Sequence, residues 1–292
     1  SSYGVTRLTP DHTQAQIAAR LEDVRDYIRD YRQHNPQYPF EFWLPSEGLG
    51  IPLEDVFSPE DDFLLEGFIP GQQFSVDGLA CGDQITCLGV IEIERIKGSD
   101  YFMEYEEGMP TRLGPQREEQ IQQVVARAVR ALGLERSCFH CEVKANPEGV
   151  FVLEIAARRG ADNISDFLQQ VMGIDIYEEG LRLACGETRF YPGLRPRCCM
   201  KMRYFLPPAS GTLEAIEGLE MVSQDPRLSE LEFEVSPGDP VLTPPEGYEF
   251  LGYLSVRGAT PEDAEAALEE LYSRIHFHIT PAPAPSLLLQ AG

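Results

Sequence analysis

Ser137 to Asp166 reads SCFHCEVKANPEGVFVLEIAARRGADNISD. Two apolar-alternating segments flank the turn signal Asn146-Pro147-Glu148-Gly149, and Val150, Phe151, Val152 and Leu153 give the second segment strong strand propensity. The stretch is expected to form a hairpin with one carboxylate on each strand, Glu142 and Glu154. If residues 142 and 154 pair, the acids face each other about 5 Å apart at Cβ, which requires a longer loop or a bulge at the turn. Carboxylates that close repel, so the arrangement calls for a cation. Hard oxygen ligands on a rigid ladder suit Mg2+, which takes one or two carboxylates and completes its octahedron with water and phosphate oxygens. Arg158, four residues after Glu154 where the chain leaves the strand, offers a fork for a transferring phosphate. By spacing alone, two acids on a hairpin are more often a solvated face. Against that, Glu154 interrupts the apolar run VFVLEIAA, where a charge needs a partner.

HCEVK, a short turn ending in Gly, VLEIAARRGAD and a following helix together resemble the end of an ATP-grasp ligase core, specifically the carboxylate-amine ligases that include bacterial L-amino acid ligases and carnosine synthase. The resemblance implies an α+β fold: the C-terminal part of an ATP-grasp core, an antiparallel sheet with flanking helices, followed by a small α/β C-terminal domain. It implies that Glu142 and Glu154 hold Mg2+, with Mn2+ able to replace it, at the phosphates of ATP. Arg158 would contact the phosphate or acyl phosphate. Two departures stand out. Ala156 occupies the place of an Asn that is a further metal ligand in many of these enzymes, which suggests more water or a bidentate carboxylate. Arg158-Arg159-Gly160-Ala161 replaces the common Arg-x-Gly-Gly ending.

Two further blocks carry the resemblance. Ser1-Ser2-Tyr3-Gly4-Val5 is similar to the small-residue loop over the ATP phosphates, which in the family follows a strand ending in Lys-Pro, so the chain is expected to lack the N-terminal portion of the core. For Ser1 and Ser2 alone, a frayed polar terminus fits equally well. Phe63 to Gly78 is similar to the adenine-binding hinge, which implies that Glu66, Phe68 and Ile69 meet the adenine edge and Gln73 the ribose, with Gln replacing the usual Glu. Without the resemblance the block is an ordinary hairpin with a Pro-Gly turn.

Composition narrows the partners. The 292 residues carry 48 acidic and 24 basic side chains, a net charge of -24, the wrong sign for a nucleic-acid partner. With 42% apolar residues the chain can fill a proper core. No apolar run is long enough to span a membrane, and no leader pattern opens the chain, which leaves the cytoplasm as the default. Seven scattered cysteines favour reduced thiols. Cys138, His140 and Cys141 are the only dense group of zinc-ligand types, but strand alternation splits them between two faces. His140 shares a face with Glu142, where it either lines the site or makes a structural hydrogen bond.

Residues 1–187 are expected to form the partial core, 188–279 the C-terminal domain and 280–292 a disordered tail. Val5 to Leu8 reads as a strand, and Ile17, Leu21, Val24, Ile28 and Tyr31 mark one apolar stripe on a helix over 11–33. An irregular insertion containing Trp43 covers 34–62, a strand 63–71, a loop 97–114 and a helix 115–133 that ends at a terminating glycine. Pro-interrupted strands from residue 196, one of them over 212–222, precede a helix over 260–275 that opens Thr-Pro-Glu-Asp.

The chemistry implied is Mg·ATP-dependent condensation of a small carboxylate with an amine, amino acids in the first instance, through an acyl phosphate. A homodimer is compatible with it. Another ATP-grasp carboxylation, or a nucleotide-binding module without chemistry, stays open.

Overall fold

The computed structural model describes residues 5–34, 62–96, 102–161, 163–189, 191–243, 247 and 250–281. Ser1, Ser2, nearly all of the insertion with Trp43, and 282–292 of the expected tail lie outside the described residues. The chain divides into two compact units, residues 1–68 with 96–103, and residues 69–95 with 104–292.

The first unit contains helix α1, Gln14–His34. It begins at Gln14 rather than residue 11 because Thr13 and Gln16 form a reciprocal cap: Gln16 N donates to Thr13 Oγ1 at 3.3 Å and Thr13 N donates to Gln16 Oε1 at 2.9 Å. The strands expected over 5–8 and 63–71 are absent; residues 5–8 and 62–70 carry no regular secondary structure. A strand needs a ladder partner, and none among the described residues pairs with either segment. Leu64 and Leu65 are 83% and 81% exposed. Phe68 lies under the Arg7 guanidinium, 4.4 Å from its ring centre.

The second unit is built on one eight-stranded antiparallel sheet, ordered β5-β4-β1-β2-β3-β6-β10-β8. Its strands are β1 Gln72–Cys81, β2 Gln84–Arg95, β3 Glu104–Met109, β4 Arg136–Asn146, β5 Gly149–Ala156, β6 Cys199–Phe205, β8 Leu228–Phe233 and β10 Gly252–Gly258. A second sheet joins β7 Gly211–Glu217, β9 Pro240–Val241 and β11 His276–Pro281. β11 thus takes Thr280 and Pro281 out of the stretch expected as a tail, and the strand expected over 212–222 stops at Glu217 and turns into helix α5, Leu219–Ser223.

Helix α2, Pro115–Ala131, packs Ile121, Val125 and Val129 on one face of the sheet, against Phe74 and Val76 of β1 and Phe139, Cys141 and Val143 of β4. All eight are fully buried, and each large side chain contributes ~1.5–3 kcal/mol. That leaves the odd-numbered residues of β1 and the even-numbered residues of β4 on the other face. Towards β6 this other face is apolar, covered by α3 Ile164–Phe167, a π-helical turn at Leu168–Met172 and α4 Ile176–Ala184.

β3 replaces the middle of the expected loop. Its sequence EYEEGM shows no apolar alternation because its charges are met inside the sheet. Glu106, 5% exposed, bonds both Lys201 and Arg203 of β6, which also reach Glu265 and Glu269 of helix α6, Pro261–Tyr272. The opening places Pro261 at the first helical position and Glu262 and Asp263 in the first turn, as expected, and the structure adds a capping box in which Thr260 and Asp263 bond reciprocally. No helix among the described residues is long and apolar enough to cross a membrane.

Candidate active site

The hairpin of β4 and β5 forms through a tight turn in which Asn146 Oδ1 accepts from Glu148 N and Gly149 N at 2.8 and 3.2 Å. From the turn the ladder runs in simple register to Val143 opposite Val152. There it shifts: Leu153 is an extra residue on β5, and Glu142 pairs with Glu154. The bulge lies well inside the hairpin and not at the turn, where it was expected. The two carboxylates therefore share a face, the one turned away from α2.

On this face β1 and β4 set out a polar row in which Gln73 pairs with Lys144, Ser75 with Glu142, and Asp77 with His140. Gln73 is 3% exposed and its Nε2 donates to Glu104 Oε1 at 2.8 Å and Glu142 Oε2 at 3.0 Å. Asp77 is 0% exposed; its Oδ2 is 2.9 Å from His140 Nδ1 and its Oδ1 accepts from Gly160 N at 2.7 Å. His140 Nε2 lies 3.9 Å from Glu142 Oε1, close for an ion pair and too long for a hydrogen bond.

The charges are tuned by these contacts. Burial opposes charge on His140, but the bond to Asp77 and the nearness of Glu142 outweigh it and push its pKa up to about 10. The His140 ring in turn holds Glu142 below the usual carboxylate range, against burial and with help from Arg95. Burial pulls the Arg95 pKa down, and Glu104 and Glu142 oppose that fall.

Arg158 is exposed in the loop after β5, and its guanidinium donates to the Arg159 carbonyl at 2.8 Å. Arg159 turns the other way, stacking 4.2 Å over the Tyr177 ring and donating to Gly160 O at 2.8 Å. Just before the start of β1, Lys144 Nζ donates to Ile69 O and Asn146 Nδ2 to Pro70 O, both at 2.8 Å. Glu66 and Phe68 are exposed in the first unit; Ser1 and Ser2 lie outside the described residues.

Asp77 and Arg95 had not been singled out from the sequence. Asp77 carries no mark of its own there: in QQFSVDGLAC it falls in the polar phase with Gln73 and Ser75, unlike Glu154, which interrupts a continuous apolar run.

The donors on this face suit a divalent cation bound together with phosphates. Two carboxylates stand opposite each other, and beside them the Gln73 Oε1 and Ser75 Oγ are buried with no hydrogen-bond partner among the described residues. Among the described residues there is no group of three or more His, Cys, Asp or Glu side chains that could hold a metal unaided, so any ion here needs oxygens from elsewhere.

Comparison with known proteins gives two family matches: the ATP-grasp domain over residues 53–166, and the L-amino acid ligase C-terminal domain 2 over residues 203–280. Human carnosine synthase 1 is 28% identical over 222 residues, covering 71% of this chain and 25% of the relative. The L-amino acid ligase of Bacillus licheniformis superposes with a TM-score of 0.67 at 25% identity, covering 73% of this chain and 53% of that one. The biotin carboxylase domain of the Hydrogenobacter thermophilus 2-oxoglutarate carboxylase, solved with MgADP and bicarbonate, shares the fold with a TM-score of 0.53 at 19% identity, covering 71% of this chain and 46% of that one. The chain thus spans between a quarter and about half of the length of these relatives.

Proposed function

Because the chain joins an ATP-grasp domain to an L-amino acid ligase C-terminal domain, we propose that the protein is an ATP-dependent ligase that joins the carboxylate of one small molecule to the amine of another, with amino acids as the substrate class. The observation that carries this reading is the register of β4 and β5, which sets Glu142 opposite Glu154 on the face away from α2.

A carboxylate acylates poorly because its leaving group would be oxide or hydroxide. Transfer of the γ-phosphoryl group of ATP to a carboxylate oxygen releases ADP and gives an acyl phosphate. The amine nitrogen then attacks the acyl carbon, the bond to the phosphate oxygen breaks, the nitrogen loses a proton, and inorganic phosphate leaves. Little covalent work falls to the protein, whose task is positioning and charge neutralisation.

In this reading Glu142 and Glu154 hold Mg2+ or Mn2+, and the ion would neutralise phosphate charge during transfer. Arg158 reaches from its exposed loop to the transferring group, and the segment from Glu66 to Ile69 meets the adenine edge. Gln73 clamps Glu142 through its Nε2, which leaves its Oε1, without a hydrogen-bond partner among the described residues, as the acceptor for a ribose hydroxyl. The net charge of -24 agrees with small-molecule substrates rather than nucleic acid.

Ala156, opposite His140 where many ATP-grasp enzymes carry a further metal ligand, favours a second reading: a module that binds nucleotide without chemistry. One assay separates the two. The full-length protein, given Mg·ATP and a panel of amino-acid pairs, should release ADP, phosphate and an amide product in equal amounts. Nucleotide binding with no turnover on any pair supports the module, and absence of nucleotide binding contradicts both.

A further inference from the structure

We propose that Asp77 is a positioning residue: it fixes the Arg158–Gly160 loop against the strand that carries Glu142, so that the phosphate-gripping arginine and the acidic pair keep one geometry. This rests on the ligase reading above. Asp77 contributes no group to substrate in that reading, yet it is a fully buried carboxylate in mid-strand, an arrangement that destabilises unless every oxygen is met.

Each oxygen is met by something that matters. Oδ1 takes the amide of Gly160, two residues beyond Arg158, at 2.7 Å; Oδ2 is 2.9 Å from His140, which stands beside Glu142. The loop is close enough to the strand that a Cβ on Gly160 would lie 2.8 Å from Ile164 Cγ2 and 2.9 Å from His140 Nδ1. Arg159 secures its other side, stacked on Tyr177 and 3.4 Å from Ser165 Oγ. Arg158 is thereby an exposed, extensible side chain on an anchored base. A displacement of that base by about 1 Å is the kind of error that costs on the order of a hundredfold in rate with little effect on binding.

The test uses the full-length protein and three variants, Asp77→Ala, Asp77→Asn and Gly160→Ala. Amide hydrogen exchange without nucleotide should show Gly160 exchanging at least about tenfold faster in Asp77→Ala, while Ile121 to Val129 of α2 keep their protection. In the same variant kcat for ADP release should fall about a hundredfold with KM for ATP within about threefold of the parent. Asp77→Asn retains an acceptor for the Gly160 amide, so it should keep the loop protected and recover most of the lost kcat. Gly160→Ala should reproduce the kinetic defect with Asp77 intact. Unchanged Gly160 exchange in Asp77→Ala, equal rate losses in the Asn and Ala variants, or loss of α2 protection in step with the loop would each overturn the proposal. If the parent turns over no substrate, the ligase reading falls, and the exchange measurements alone still decide whether Asp77 holds the loop.

Discussion

Glu154 faces Glu142 only because Leu153 is bulged out of the ladder. Continued without the bulge, the register from the turn would set Leu153 opposite Glu142 and send the Glu154 side chain to the α2 face, since side chains alternate along a strand. A one-residue irregularity thus makes the acidic pair. Replacing either acid by Gln keeps the shape and removes one charge, so in the full-length protein Glu142→Gln and Glu154→Gln should each lower ATP-dependent turnover by at least about a hundredfold. The thermal midpoint of Glu154→Gln should hold or rise, as repulsion across the pair is relieved, whereas that of Glu142→Gln should fall, because the His140 ring and Arg95, which hold the Glu142 pKa down, lose their charge partner. Unchanged turnover in either variant takes that residue out of the metal role.

The two adjacent arginines should separate by phenotype. Arg158→Ala is expected to leave thermal stability unchanged and to lower kcat, whereas Arg159→Ala loses the stacking on Tyr177 and about 0.5–1 kcal/mol of stability. Thermal melts with steady-state kinetics on both variants check the division; a larger kcat loss from Arg159→Ala reverses the assignment.

Glu106 is the acid that Lys201 and Arg203 share inside the sheet. Glu106→Leu strands two buried cations whose remaining partners, Glu265 and Glu269, are more exposed, and should cost about 3–5 kcal/mol in urea denaturation. A loss below about 1 kcal/mol would mean that the network contributes nothing net.

Glu118, near the start of α2, has its pKa raised by burial, against the hydrogen bond that Thr111 Oγ1 donates at 2.9 Å. A raised folded pKa means that stability is full below the unfolded value, 4.5, and is lost as pH rises through the folded one. Glu118→Gln keeps an acceptor for Thr111 and cannot ionise. It should melt higher than the parent at pH 7, with the advantage gone below pH 4.5. A gain that persists at low pH would assign the effect to packing.

How much was legible in the sequence follows from what each element depends on. α2 and the hairpin announce themselves because their apolar period and turn residues are local: Ile121, Val125 and Val129 share one face, and Asn146 to Gly149 is a turn whatever surrounds it. α6 carries its own start signal in Thr260 and Asp263. β3 was hidden because its stability comes from Lys201 and Arg203, far along the chain, rather than from alternation. The expected strand over 63–71 had the right composition but no partner among the described residues. The convergence of Glu142 and Glu154 was foreseen as a condition on register, while the residue that satisfies it, Leu153, has no mark in the sequence. Asp77 shares the polar phase of its strand with Gln73 and Ser75, so alternation alone does not single it out, and its link to Gly160 exists only in three dimensions.

The most direct test of the central claim is anomalous diffraction from crystals of the full-length protein grown with Mn2+ and a non-hydrolysable ATP analogue. The account predicts a manganese peak over the face of β4 and β5 turned away from α2, with one oxygen of Glu142 and one of Glu154 at about 2.1 Å and the remaining positions filled by phosphate oxygens and water. A nucleotide-bound peak touching neither carboxylate would contradict it.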